Sequence, residues 1–91
     1  MLRNEKTFLN HVLRNYCNVN GRGREWIEDI RYFLKRDPQR EAQFKAELDA
    51  AVEHGALSAA EYEELTDEDF DTQEDLVTWL KELRTLIFPI A

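Results

Sequence analysis

Apolar residues return along this chain at intervals of three and four, the period of a helix with one buried face, and no stretch alternates as a half-buried strand does. Between Asn4 and Tyr16 the first stripe is Phe8, Leu9, Val12, Leu13 and Tyr16, which leaves His11 on the solvent side. Cys17 to Gly23, CNVNGRG, collects asparagine and glycine, residues that accept left-handed backbone angles, and reads as a connection. A second helix, about Arg24 to Arg36, gathers Trp26, Ile27, Ile30, Phe33 and Leu34 on one face. Tyr32 falls on its polar side beside Arg36, either as a contact residue or as one of the single exposed aromatics common on surfaces.

Asp37-Pro38 starts the third helix, since the aspartate accepts open backbone N–H groups and proline at the first helical position loses no bond. Its stripe is Phe44, Leu48, Ala51 and Val52. Gly55 ends it in a left-handed conformation with Leu57 just beyond, and His54 stands in the last turn, where a protonated ring suits the carbonyl end of the dipole. Ser58 and Glu61 have capping-box spacing and open a short fourth helix ending near Leu65, with Tyr62 and Leu65 on its buried side. Thr66 to Asp71 form a loop. Thr72 caps a last helix, about Gln73 to Phe88, whose face of Leu76, Trp79, Leu80, Leu83, Leu86 and Ile87 is wide enough to pack centrally against several others before Pro89 ends it. The expected architecture is all-α: a single small domain over residues 1–91, of four main helices plus one short helix.

Charge changes this picture more than composition does. The 91 residues leave little room for a second core, and 43% hydrophobic with 34% charged is the balance of a packed chain. Cys17 is the only cysteine, so no internal disulfide is expected. With no signal-peptide core and no run long enough to span a bilayer, a cytoplasmic location is the expectation. Net charge is −7, unevenly placed: residues 1–45 carry ten Lys/Arg and six Asp/Glu, residues 46–91 two and thirteen. That excess of carboxylates repels phosphates, which argues against direct nucleic-acid binding, and favours a basic protein partner.

The bias concentrates in Glu61 to Asp75, EYEELTDEDFDTQED, with nine carboxylates and no basic residue. A charge run is often only a solvated face. Here Tyr62, Leu65 and Phe70 sit among the charges, and interfaces combine a few aromatic anchors with charges that set encounter rate and partner choice. Glu61, Glu64, Asp67, Glu68, Asp69, Asp71, Glu74 and Asp75 are therefore the candidates for charge pairing, with Tyr62 and Phe70 as anchors. Phe70 has a second reading, as a plug that pins the loop to the last helix.

Other chemistry is poorly served. Asp67-x-Asp69-x-Asp71 matches the first three positions of a calcium loop, yet Thr72 and Thr78 stand where a turn glycine and a bidentate glutamate are required. Cys17, His11 and His54 have no zinc-ligand spacing, and a lone cysteine at a helix end is a packing residue more often than a nucleophile. Gly21-Arg22-Gly23 follows a helix rather than a strand and lacks the rest of a phosphate-binding fingerprint. Neither enzymatic activity nor a metal or cofactor is expected.

Taken together, Phe8-Leu9 and Tyr16 in the first helix, then Trp26, the Phe44 to Val52 helix, Leu57-Ser58, Glu64-Leu65, Phe70-Asp71 and the closing Trp79-Leu80 to Leu83 segment give most of the chain a pattern. It resembles the CdiI immunity proteins of bacterial contact-dependent growth inhibition systems. It departs from them after the first helix, where CNVNGRGREW replaces an aromatic, Asp-rich segment. The resemblance implies a cytoplasmic protein that binds and neutralises the C-terminal toxin domain of a cognate CdiA effector, often a nuclease. The charge argument, not the family pattern, supplies the interface residues. The alternative is an acidic helical adaptor or regulatory module that docks another basic protein.

Overall fold

A computed structural model describes residues 7–18 and 23–89. Five helices follow in order: α1 (Phe8–Tyr16), α2 (Trp26–Lys35), α3 (Pro38–His54), α4 (Ala59–Thr66) and α5 (Gln73–Ile87), with no strand among the described residues. The all-α expectation holds. Asn4 to Lys6 and Val19 to Arg22, parts of the expected first helix and first connection, lie outside the described residues.

Local chemistry sets most of the helix ends. Thr7 accepts the Asn10 N–H at 3.0 Å and opens α1, and Asp37 accepts from Gln39 and Arg40 with Pro38 just inside α3. Gly55, at φ 65°, closes α3 in the left-handed region that a side chain would disfavour. Both halves of the Ser58 and Glu61 capping box are made, and Thr72 accepts the Asp75 N–H at 3.0 Å. Tertiary structure also contributes: the α1 amide of Leu9 donates to Glu47 Oε1 of α3, at 2.9 Å.

The apolar stripes meet in one core, including Leu13 of α1, Ile30 and Leu34 of α2, Phe44 and Leu48 of α3, Tyr62 of α4, and Leu80 and Leu83 of α5, all fully buried. Burying such side chains contributes about 1.5–3 kcal/mol each. α3 packs on α1, α2 and α5, and α1 on α2, α3 and α4. The wide face of α5 packs against several others as expected: it meets α2 and α3 and, through Gln73 and Trp79, α4. Its apolar face is wider than the surface covering it: Trp79 lies beside Trp26 of α2, ring centres 6.2 Å apart, while Leu86, seven residues on along the same flank, is 46% exposed.

Candidate functional site

The acidic segment is held from inside. In α4 the helical period turns Tyr62, Leu65 and Thr66 into the core and Glu63 and Glu64 to solvent. The Thr66 hydroxyl donates to the Tyr62 carbonyl at 2.9 Å and accepts the Glu68 N–H at 3.2 Å, which ties the end of the helix to the loop after it. Asp67 ends α4 at φ 63°, a left-handed conformation that aspartate tolerates better than most side chains. Phe70 then turns back against Tyr62, ring centres 5.5 Å apart and edge-on, and its neighbours Asp69 and Asp71 are left exposed.

Side-chain contacts fasten this corner to α5. Gln73 donates to the Leu57 carbonyl at 2.8 Å and accepts the Ala59 N–H at 3.0 Å, clamping the start of α4 to the start of α5. The indole N–H of Trp79 donates to the Tyr62 hydroxyl. Glu74 and Asp75 occupy the first turn of α5, exposed, where negative charge complements the N-terminal dipole.

The ten sequence candidates thus divide. Tyr62 is fully buried and is corrected from partner anchor to core residue: the helical period that brings Leu65 inward brings it too. Glu61 is half-buried and uses Oε1 to accept the Ser58 N–H at 2.9 Å. Glu68 turns Oε1 into an enclosed position with no hydrogen-bond partner. Phe70 is half-buried, packed against the core with its ring on Tyr62 of α4. Glu64, Asp67, Asp69, Asp71, Glu74 and Asp75 are exposed, as is Glu63, which stands between Tyr62 and Glu64.

Among the described residues the ion pairs are Lys45 with Asp49, Arg84 with Asp49 and Arg84 with Glu53. None of them takes in Glu63, Glu64, Asp69, Asp71, Glu74 or Asp75. Arg84 Nη1 lies 2.9 Å from Asp49 Oδ1, and this hydrogen bond is the chief cause that holds the Asp49 carboxyl below its ordinary range. These six carboxylates are exposed and lie outside those ion pairs. Asp67, Asp69 and Asp71 do not converge as metal ligands, and no group of three such residues does among those described. No helix among them is long and apolar enough to cross a membrane.

Two features escaped the sequence reading. Arg40 leaves the polar face of α3 to donate to the Phe33 carbonyl at 2.9 Å, with its guanidinium 4.0 Å over the Phe33 ring. Asn10 is only 6% exposed although it lies beside the apolar stripe of α1 rather than in it. Neither position carries a sequence signal, because each is defined by a neighbouring helix.

No family model, curated protein or solved structure matches the chain. Any function has to be argued from the corner itself. What it offers is an exposed negative surface beside the half-buried Phe70 ring.

Proposed function

We propose that this chain is an immunity-type protein that binds the C-terminal toxin domain of a cognate CdiA effector, a nuclease, and covers its basic substrate-binding surface. The observation that carries the reading is the run Glu63, Glu64, Asp69, Asp71, Glu74 and Asp75, exposed and outside every ion pair among the described residues. A nuclease must present positive charge to its substrate, and carboxylates on a fixed frame can occupy that surface in place of phosphates. The protein acts by binding rather than by catalysis, in the cytoplasm where the toxin reaches its substrate, with no cofactor and no nucleic acid of its own.

The physical role of the run is chiefly kinetic. Charge complementarity raises association from about 10⁵–10⁶ M⁻¹s⁻¹ toward 10⁸–10⁹ M⁻¹s⁻¹ at low salt, while short-range anchors set dissociation. Phe70 is the anchor available at this corner.

Growth is the decisive readout. The C-terminal fragment encoded by the reading frame immediately upstream is expressed with and without this protein; arrest by the fragment alone and recovery with both is the expected result. A harmless fragment, or a toxic one without recovery, replaces the immunity reading with that of an adaptor for another basic protein. For the interface, charge reversal at Asp67, Asp69 and Asp71 should slow association strongly at low salt and weakly at high salt. Unchanged rates would remove the acidic run from the interface.

A further inference from the structure

A cleft of about 210 Å³ opens where the first turn of α1, the C-terminal half of α3 and the first turn of α4 meet. Its walls include Ala50, Ala51 and Ala56, and its polar groups include Asn10, Glu47 and Glu61. Asn10 is 94% buried by its 6% exposure, and the hydrogen bond it makes is through its backbone N–H to Thr7. Its side-chain amide has no partner among the described residues. The enclosed unpaired side-chain atoms among the described residues are Arg40 Nε and Glu68 Oε1, so the Asn10 amide is not sealed off but open at the cleft wall, where a ligand can hydrogen-bond to it.

The charge of the cleft specifies that ligand. Glu47 accepts from Leu9 N–H through Oε1 and from Gln43 through Oε2, and Glu61 accepts from Ser58 N–H through Oε1, leaving its Oε2 available. No Lys or Arg lines the cleft among the described residues. The N-termini of α1 and α4 together offset about one charge, and the C-terminus of α3 returns about half a charge of negative potential, so two carboxylates still leave the space negative. Its volume lies below the roughly 300 Å³ at which small-molecule sites begin, and corresponds to about seven waters. The space therefore suits a cationic side chain better than a metabolite.

We infer that this cleft receives an arginine side chain of the basic partner, whose guanidinium donates to the Asn10 amide oxygen and the Glu61 carboxylate. Arginine fits better than lysine, since its planar fork offers five donors to acceptors on two helices, α1 and α4, and is less strongly hydrated. This rests on the proposed basic-partner reading. It adds a short-range anchor beside the charged run: Glu61 belongs to the cleft and also to the groove formed with Glu63, Glu64 and Asp67.

The test uses the whole protein and blocked amino acids as probes: N-acetyl-arginine amide, its lysine counterpart and its uncharged citrulline counterpart, titrated while backbone and side-chain amide resonances are followed by NMR. The arginine probe is expected to give saturable shifts at Leu9, Asn10, Ser58 and Glu61, the lysine probe weaker ones, and the citrulline probe none. Glu61→Gln keeps a capping-box residue but removes the charge, and should weaken the probe about tenfold. Asn10→Leu should abolish the shifts while thermal stability holds or rises, which a purely structural asparagine would not give. Equal binding of lysine, or shifts that grow without saturation and spread equally over Asp69, Asp71 and Glu74, overturns the inference even where a basic partner binds. Saturable arginine binding in a protein that rescues no toxin would leave the cleft standing and sink the immunity reading.

Discussion

The end of α2 and the end of α4 face the same physical problem and answer it with opposite use of charge. At α2 the open Phe33 carbonyl is met by Arg40, whose guanidinium also covers the Phe33 ring, with His11 and Tyr16 at 5.2 Å and 5.8 Å from that ring. A charged side chain is thereby committed to the fold. At α4 the turn is made differently: Asp67 adopts the left-handed conformation, the Thr66 hydroxyl links helix to loop, and Glu63, Glu64, Asp69 and Asp71 are left exposed. The difference shows that the net charge of a segment is a poor guide to what a partner meets. What counts is whether each charge is already engaged. Residues 46–91 hold two basic residues, Lys81 and Arg84, and Arg84 is engaged by Asp49 and Glu53 of α3, away from the acidic run.

The contrast breaks most completely at Tyr62. Tyr62→Ala removes the ring on which Phe70 rests and the acceptor of the Trp79 N–H, and should lower unfolding free energy by about 3–5 kcal/mol in a denaturant titration. Tyr62→Phe keeps the packing, and should lose only about 1 kcal/mol. A small loss in the alanine variant would show that the acidic loop is not held by its underside.

Arg40 tests the other corner. Arg40→Met preserves much of the aliphatic packing but loses the bond to Phe33 and the cation over the ring, for an expected loss of about 1–2 kcal/mol. Arg40→Lys should recover only part of it, because an ammonium cannot both donate in that plane and stack. Full recovery with lysine would reduce the role of Arg40 to charge alone.

Arg84 gives a smaller effect with a distinct pH signature. The folded pKa of Asp49 is depressed, so the Arg84 contribution is present above the ordinary carboxylate range, near pH 4, and is lost as pH falls through the depressed folded value. Arg84→Met should cost no more than about 1 kcal/mol at neutral pH and flatten the acid limb of stability against pH. An unchanged acid limb would remove this ion pair from the account.

The smallest stability effect belongs to the acidic run. Glu64→Gln with Asp69→Asn and Asp71→Asn should change unfolding free energy by about 0.5 kcal/mol or less, with a slight gain at low salt from relieved repulsion. A loss comparable to that of Arg40→Met would mean that these carboxylates are also engaged in the fold, and the contrast between the two corners would disappear.

Some of this was legible in the chain and some was not, and the division follows the range of the interactions. Helix existence, the Asp37-Pro38 and Thr72 starts, the Ser58 and Glu61 capping box, the Gly55 stop and the inward stripes depend on residues within a few positions of one another, so the sequence alone determined them. Tertiary structure decided the rest. It gave the Tyr62 hydroxyl to the Trp79 N–H, left Leu86 uncovered, drew Arg40 to Phe33 and Glu47 to Leu9, and buried Asn10 at the junction of three helices. Each of these outcomes depends on which helix lies opposite, and a one-dimensional pattern records the period of a face but not its neighbour.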